Sequence, residues 1–315
     1  MVMKSEDLFK SKIAAPFLAL FATFLFGSVF PVIKITNEMM MVDSKDISSQ
    51  LFTAGIRYFL AGLFMVIYLM VIKKEKPKFT KNKMLVFFGI ALIYTYFQKA
   101  LFYIGTANTT GMKSALLMAS STLFTVFISP LFFKNDKINT KKIISLILGF
   151  TGIIFINLSK DFSLDFTIMG DGFLILVGLL GSFSIIAVKI SSVKIHPAEI
   201  TGFNTFIGGF LLIMTGVINL DYTKLNFSFL SFALILYLSV VTVIGPLIMN
   251  TLYKYHKAGE ISFYGFGTPL FGSILSAVLL PNESFTFNIV IALFLIILSL
   301  LILNSKRKII LKNPS

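Results

Sequence analysis

Residues 225–253 read LNFSFLSFALILYLSVVTVIGPLIMNTLY, a run of 29 residues without a charged side chain. A helix needs about 20 apolar residues to cross the hydrocarbon core of a bilayer. The apolar residues are continuous rather than alternating, which is typical of a membrane helix and not of a strand in a membrane barrel. The run therefore predicts a transmembrane helix.

Nine further apolar runs have the same character. Two of them contain one cation each, Arg57 and Lys99, and the others contain no charge. In chain order the ten runs are residues 13–33, 47–72, 84–110, 114–133, 143–159, 172–188, 200–220, 225–253, 261–282 and 284–305. A Pro-Asn-Glu-Ser turn that begins at Pro281 separates the last two. The sequence thus predicts an all-α membrane protein with ten transmembrane helices.

The composition agrees with a membrane protein that binds lipid and carries no cofactor. Hydrophobic residues make up 56% of the chain and charged residues only 13%, against about 25% charged residues in soluble domains. The net charge of +14 comes from basic residues that lie between apolar runs, which indicates lipid headgroups rather than nucleic acid as the partner. Because Cys is absent and only His196 and His256 are present, we expect no metal site.

The basic residues also predict the orientation of the chain. Of its 28 Lys and Arg residues, 21 lie in residues 4–12, 73–83, 134–142, 189–194, 254–257 and 306–312. The alternate loops hold only four basic residues, which are Lys45, Lys113, Lys160 and Lys224. The positive-inside rule therefore places both termini in the cytoplasm and leaves five short outer loops.

The two halves of the chain resemble each other. Residues 55–59 (GIRYF) and Gly62 match residues 202–206 (GFNTF) and Gly209 at an offset of 147. Further weak matches relate 32–35 to 187–190 and 121–124 to 267–270 in the same order. Either chance similarity between apolar helices or a repeat of residues 1–160 in residues 161–315 explains them. Since five crossings is an odd number, a repeat predicts two inverted halves with a substrate site between them.

Several short stretches carry a family resemblance. Residues 26–34 read FGSVFPVIK, and residues 98–105 read QKALFYIG. Residues 170–172 (GDG) and 196–199 (HPAE) are also typical. These stretches resemble the EamA-type transporters of the drug/metabolite transporter superfamily, with Phe26 in place of the usual Trp. The resemblance covers nearly the whole chain and implies a carrier of small metabolites, among which amino acids, sugars, nucleotide derivatives, amines and drugs are known cargo of the family.

Lys99 is the first candidate for a substrate-binding residue. It is the only charge in residues 84–110, and a charge at that depth is costly unless it faces protein or water. On a helix it shares a face with Tyr94, Thr95 and Gln98. We interpret it either as a cavity-lining cation that meets a carboxylate or phosphate, or as a side chain that extends to the outer interface.

Three other cations are candidates for gating or for charge at the mouths of a cavity. Arg57 is interpreted first as an anchor at the outer interface that pairs with Glu38, Asp43 or Asp46. The internal matches place Lys34 at the outer end of its span and Lys189 at the inner end of its own.

The remaining candidates are polar residues within apolar runs. For each of them helix packing is the alternative to substrate contact. They are Ser28, Asn204, Tyr237 and Tyr264.

The pattern as a whole predicts a secondary transporter in a bacterial cytoplasmic membrane. By the family resemblance it would move small organic metabolites, such as amino acids or other carboxylate-bearing solutes, by alternating access through a central cavity. A carrier of cationic amines or drugs is the alternative, and a channel, a scramblase or a membrane-embedded enzyme are alternatives of other classes. An enzyme is not expected, because neither a nucleophile with its base nor paired carboxylates lie within the spans.

Overall fold

The computed structural model describes residues 5–43, 45–72, 79–109, 111–156, 166–281 and 285–305, and this part of the chain is helical without strands. A short helix, Ser5–Lys10, precedes a series of longer helices. These are α1 Ala14–Met39, α2 Ile47–Val71, α3 Lys81–Ala107, α4 Gly111–Phe132, α5 Thr140–Ile156, α6 Ile168–Ser191, α7 Pro197–Val217, α8 Phe229–Tyr255, α9 Ala258–Leu279 and α10 Phe287–Asn304.

Eight of these helices are long and apolar enough to cross a bilayer. The other two are α4, in which Leu117–Phe132 is a shorter apolar helix, and α5, which has 17 residues. Residues 157–159 of the fifth predicted span lie outside the described residues. The structure therefore supports a multi-pass helical membrane protein with eight candidate spans, and the count of ten crossings stays a prediction.

Several of the helices begin before the apolar runs that predicted them. Helix α6 begins at Ile168, α7 at Pro197 and α9 at Ala258, whereas the runs begin at 172, 200 and 261. Each added turn contains one carboxylate, which the apolar criterion excluded. An acidic side chain is favourable in the first turn of a helix, because the unpaired N–H groups there carry partial positive charge.

Four of the helices contain segments that are not α-helical. A π-helical segment, Ala91–Phe97, lies inside α3, and two others form the start of α6 and the end of α2. In α9 the residues Ser262–Phe266 form a 3₁₀ turn. Such interruptions change the direction of the following side chains and are frequent at functional sites.

Helices α2 and α7 approach each other closely at glycines. A Cβ atom on Gly62 would lie 2.2 Å from the backbone nitrogen of Phe206, and a Cβ atom on Gly209 would lie 2.2 Å from that of Phe59. The rings of Phe59 and Phe206 pack with their centroids 4.7 Å apart. Both glycines and both aromatic residues are related by the offset of 147, so each of the two helices gives the other the same contact.

A second pair of contacts repeats this pattern. A Cβ atom on Gly55 would lie 3.0 Å from the carbonyl carbon of Leu212, and one on Gly202 would lie 2.8 Å from Met65 Cγ. Gly55 and Gly202 are separated by 147 residues, as are Met65 and Leu212. Small residues allow helix backbones to approach at such interfaces. The α2–α7 packing is thus reciprocal along several turns.

The other helix pairs correspond in the same way. Helix α1 packs on α8 and α9, and α6 packs on α3 and α4. Helices α5 and α10 pack on each other. Every one of these pairs maps onto another pair, or onto itself, when the first five helices are exchanged with the last five.

Candidate functional site

Two cations and two tyrosines meet where α2 faces α3. Arg57 is 6% exposed, and its guanidinium carbon lies 4.6 Å from the centroid of the Tyr58 ring. The Lys99 ammonium nitrogen lies 5.9 Å from the centroid of the same ring and 5.0 Å from that of Tyr94. Aromatic rings attract cations at such distances. We call Arg57, Tyr58, Tyr94 and Lys99 the cation–tyrosine cluster.

The cluster lies well inside the helices that carry it. Arg57 is ten residues from Ile47, where α2 begins, a distance of about 15 Å along the helix axis. Lys99 precedes the end of α3 at Ala107 by eight residues, or about 12 Å. Since the hydrocarbon core is about 30 Å thick, both side chains leave the backbone far from the ends of their helices.

The charges of the cluster are not neutralised by carboxylates in the described part of the chain. Neither Arg57 nor Lys99 belongs to an ion pair in the described residues. Arg57 Nε is also buried without a hydrogen-bond partner. The interfacial anchor predicted for Arg57 required a pair with Glu38, Asp43 or Asp46. The Asp46 carboxylate instead accepts hydrogen bonds from Ser49 N at 3.1 Å and Ser49 Oγ at 2.6 Å and caps α2.

The neighbouring candidates on α3 contact other helices. Thr95 Oγ1, within the π-helical segment, donates a hydrogen bond of 3.0 Å to Asn204 Oδ1 on α7. Gln98 Nε2 donates to the carbonyl of Val177 on α6 at 3.1 Å. Gln98 Oε1 is buried without a partner. Gln98 thus has one unused acceptor, while the hydroxyl of Thr95 is used in packing α3 against α7.

Asn204 belongs to a chain of buried polar side chains. Its Nδ2 donates to the carbonyl of Ile200 at 2.7 Å, and its Oδ1 also accepts from Thr205 Oγ1 at 3.3 Å. On the same helix, Thr201 Oγ1 accepts from Asn250 Nδ2 of α8 at 2.9 Å. The bonds from Thr95 and Asn250 join α7 to α3 and α8, whereas Asn204 Nδ2 bonds within α7, so both ends of the Asn204 amide are engaged.

The other predicted residues lie on different helix pairs. The hydroxyls of Ser28 on α1 and Tyr237 on α8 are 2.7 Å apart, and Tyr237 is 41% exposed. Tyr264 on α9 is buried, and its hydroxyl accepts from Asn304 Nδ2 of α10 at 2.9 Å. Ser28 and Tyr237 thus join α1 to α8, whereas Tyr264 joins α9 to α10.

The two remaining cations lie near helix ends. Lys34 is exposed and precedes the end of α1 by five residues. Lys189, near the end of α6, donates to the carbonyl of Tyr253 at 2.7 Å and to that of His256. A cation is favourable at the C-terminal carbonyls of a helix, so Lys189 stabilises the end of α8.

Two features were not predicted from the sequence. Tyr58 was not a candidate, although it directly follows Arg57, and its role depends on how α2 is rotated towards α3. The second feature is a buried ion pair between Lys142 and Asp136, which are 1% and 0% exposed. The Asp136 carboxylate also accepts from Ser129 Oγ and from Gly259 N of α9, the latter at 2.8 Å.

For the lysine-rich segment 134–142 the sequence predicts only a cytoplasmic loop. A single aspartate among four lysines in residues 134–142 was the available signal for an ion pair. The described residues contain no group of three or more His, Cys, Asp or Glu side chains that could hold a metal ion.

The fold and the buried cations define a multi-pass helical membrane protein with polar groups inside its bundle. The chain belongs to the EamA-like transporter family, whose sequence model matches residues 13–158 and 168–305. The family predicted from the sequence is thus confirmed. The matches also point to a transporter rather than an enzyme.

Two relatives are named as transporters, and a solved structure shares the fold. The chain is 25% identical over 269 residues to the "Uncharacterized transporter YvbV" of Bacillus subtilis (strain 168), covering 83% of this chain and 84% of that protein. It is 28% identical over 251 residues to the "Uncharacterized transporter YetK" of the same organism, covering 75% and 72%. A crystal structure with 11% identity has the same fold at a TM-score of 0.75, over 93% of this chain and 96% of that one.

Proposed function

We propose that the protein is a secondary transporter that moves small organic metabolites across a bacterial cytoplasmic membrane by alternating access. The reciprocal packing of α2 on α7 carries the proposal. In this packing the two helices contact each other through matched residues, Gly62 with Phe206 and Gly209 with Phe59, which supports two similar halves. Two such halves can exchange their arrangements around a site between them, which is the basis of alternating access.

The proposed architecture has ten crossings in two inverted halves, residues 1–160 and 161–315. The corresponding helix pairs described above support it, as does the family match in two successive segments. The proposed orientation puts both termini in the cytoplasm and rests on the 21 basic residues of the predicted inner segments.

The cation–tyrosine cluster is the proposed contact for the solute. Its depth in α2 and α3 agrees with a site near the midplane of the membrane. Two uncompensated cations repel a cationic amine and attract a carboxylate. Carboxylate-bearing solutes, including amino acids, are therefore the first class to test, ahead of amines and cationic drugs.

A flux assay tests the proposed function directly. Purified protein in liposomes is preloaded with one solute, and the uptake of radiolabelled solute is measured across a panel of amino acids, dicarboxylates, sugars and amines. We expect saturable counterflow for at least one carboxylate-bearing solute and none in protein-free liposomes. An imposed pH gradient that drives accumulation would add proton coupling, and an absence of flux for the whole panel would contradict the proposal.

The orientation has its own test because the chain contains no cysteine. Single cysteines at Lys194 and Thr223 lie in the connections before α7 and before α8. In intact cells a membrane-impermeant maleimide is expected to label Thr223→Cys but not Lys194→Cys, and permeabilised cells are expected to show both. The reverse pattern would contradict the proposed orientation.

A further inference from the structure

We propose that Arg57 and Lys99 together bind an oxyanion group of the transported solute, a carboxylate or a phosphate, beside the Tyr58 ring that both approach. This inference rests on the proposed transport function and adds the chemistry of the bound group. Three observations support it: the buried guanidinium of Arg57, its unpartnered Nε, and the approach of Lys99 to the same aromatic ring.

The arrangement of the two cations lowers the stability of the folded protein. A buried charge without a counter-ion is strongly unfavourable, and two like charges close together add their repulsion. The Tyr58 ring lies close to both cations but carries no full charge to balance them. Positions that lower stability without a local compensation are typical of functional sites. An entering anion provides the missing compensation.

The hydrogen-bond donors of the cluster have a geometry that suits an oxyanion. A guanidinium offers N–H groups in a planar fork that matches the two oxygens of a carboxylate or a phosphate. In Arg57 the Nε–H of that fork is unused. Lys99 adds a compact charge from α3, and the Tyr58 hydroxyl is able to donate a further hydrogen bond. The cluster therefore presents donors from two helices to one small anion.

The charge of the cluster determines which anions it favours. Two cations without a carboxylate partner leave a local charge of two, so a dianion gains more Coulomb energy than a monoanion of similar size. Lys99, Tyr58 and Tyr94 are half-buried, so part of each side chain is accessible at the surface of the helix bundle. An anionic lipid headgroup has the same chemistry, and the experiment must separate the two sources.

Binding is measured without transport, through the thermal unfolding midpoint of the purified full-length protein in a nonionic detergent. Succinate, inorganic phosphate, butyrate and uncharged succinamide are titrated at constant ionic strength. We expect the midpoint to rise with succinate or phosphate, to rise less with butyrate, and not to change with succinamide. A parallel series in nanodiscs with and without phosphatidylglycerol tests the lipid headgroup.

The variants Arg57→Gln and Lys99→Gln are expected to weaken the apparent affinity for the stabilising anion by about tenfold or more, because each loses a charge-assisted hydrogen bond. The matched control is Lys194→Gln, which removes one positive charge from an exposed position and is expected to bind like the parent. Lys99→Arg keeps the charge and is expected to retain binding. It also provides a folded comparison if Arg57→Gln does not fold.

Several outcomes overturn the proposal. These are the absence of a shift with either anion, equal shifts in the parent and in Lys99→Gln, and stabilisation by phosphatidylglycerol alone. The failures of the two proposals are distinguishable. Flux of a neutral solute without anion binding overturns the oxyanion site but leaves transport intact. Anion binding without flux of any solute overturns transport but leaves the site.

Discussion

Two pairs of charged side chains in the described part of the chain differ in how their charges are balanced, because one is a salt bridge and the other consists of two cations. Lys142 is 1% exposed and contacts the carboxylate of Asp136, whose other oxygen is hydrogen-bonded to Ser129 and to the backbone of Gly259. Arg57 is 6% exposed and shares the Tyr58 ring with Lys99. The first pair is a buried salt bridge in which both carboxylate oxygens of Asp136 accept hydrogen bonds. The second pair consists of two cations without a carboxylate.

The difference separates a structural role from a binding role. The Asp136 carboxylate joins the end of α4, the start of α5 and the first turn of α9, so it holds one end of the bundle together. The Arg57–Lys99 pair makes no such connection through ions. A protein retains a costly charge arrangement when the charge acts on something else, which here is the proposed solute.

A comparison of matched positions sharpens this contrast. Arg57 and Asn204 are 147 residues apart, as are the glycines that pack reciprocally. Asn204 Oδ1 accepts a hydrogen bond from Thr95, and its Nδ2 donates to Ile200 O, while Arg57 Nε has no partner. Helices α2 and α7 therefore share their packing glycines but not their charge, which leaves Arg57 of α2 as the proposed binding residue.

The largest effect is expected from Asp136→Asn. It leaves the Lys142 charge buried without a counter-ion, which is expected to cost about 3–5 kcal/mol of unfolding free energy. SDS-induced unfolding in mixed micelles measures this loss. The double variant Asp136→Asn/Lys142→Met is expected to recover much of it, and a single variant as stable as the parent would contradict the structural role of the pair.

The next effect concerns the reciprocal packing. Gly209→Ala and Gly62→Ala each place a methyl group against backbone atoms 2.2 Å away, and each is expected to cost about 1–3 kcal/mol through overpacking. Gly89→Ala is the matched control, because a Cβ atom there has no neighbour within 4 Å. The same unfolding assay measures all three. Unequal losses at Gly62 and Gly209 would weaken the proposed two-fold relation.

The helices were largely predictable, because apolar length and the distribution of lysines are local properties of the sequence. The run 225–253 is observed as Phe229–Tyr255, and 47–72 as Ile47–Val71. The run 13–33 is observed as the longer helix Ala14–Met39, because α1 continues through Lys34 and Glu38. An apolar window cannot find helix ends that carry charges.

The site was predictable only in part. Lys99 was found because a single charge in an apolar run is costly wherever it lies. Its contact with Tyr58 depends on the rotation of α2 against α3, and α3 contains a π-helical segment that no pattern indicated. The ion pair of Asp136 and Lys142 is not predictable from the sequence, because nothing in it shows that α9 packs against them.

A smaller loss of stability is expected when the hydrogen bond between Thr95 and Asn204 is removed. Thr95→Val removes the donor of the 3.0 Å bond to Asn204 Oδ1, and a hydrogen bond between membrane helices contributes about 0.6 kcal/mol on average. A double-mutant cycle with Asn204→Leu is expected to give a coupling free energy of that size. A coupling of zero would indicate that the bond between α3 and α7 contributes nothing to stability.

The smallest loss of stability is expected from Lys99→Gln, and it is the sharpest contrast with Asp136→Asn. Removing one of two mutually repelling cations leaves no carboxylate unpaired in the described structure, since neither Lys99 nor Arg57 forms an ion pair there. Unfolding free energy is therefore expected to equal or exceed that of the parent, while counterflow of an anionic solute falls. If the variant loses both stability and flux, Lys99 has a structural role, like Lys142, and the proposed binding role is contradicted.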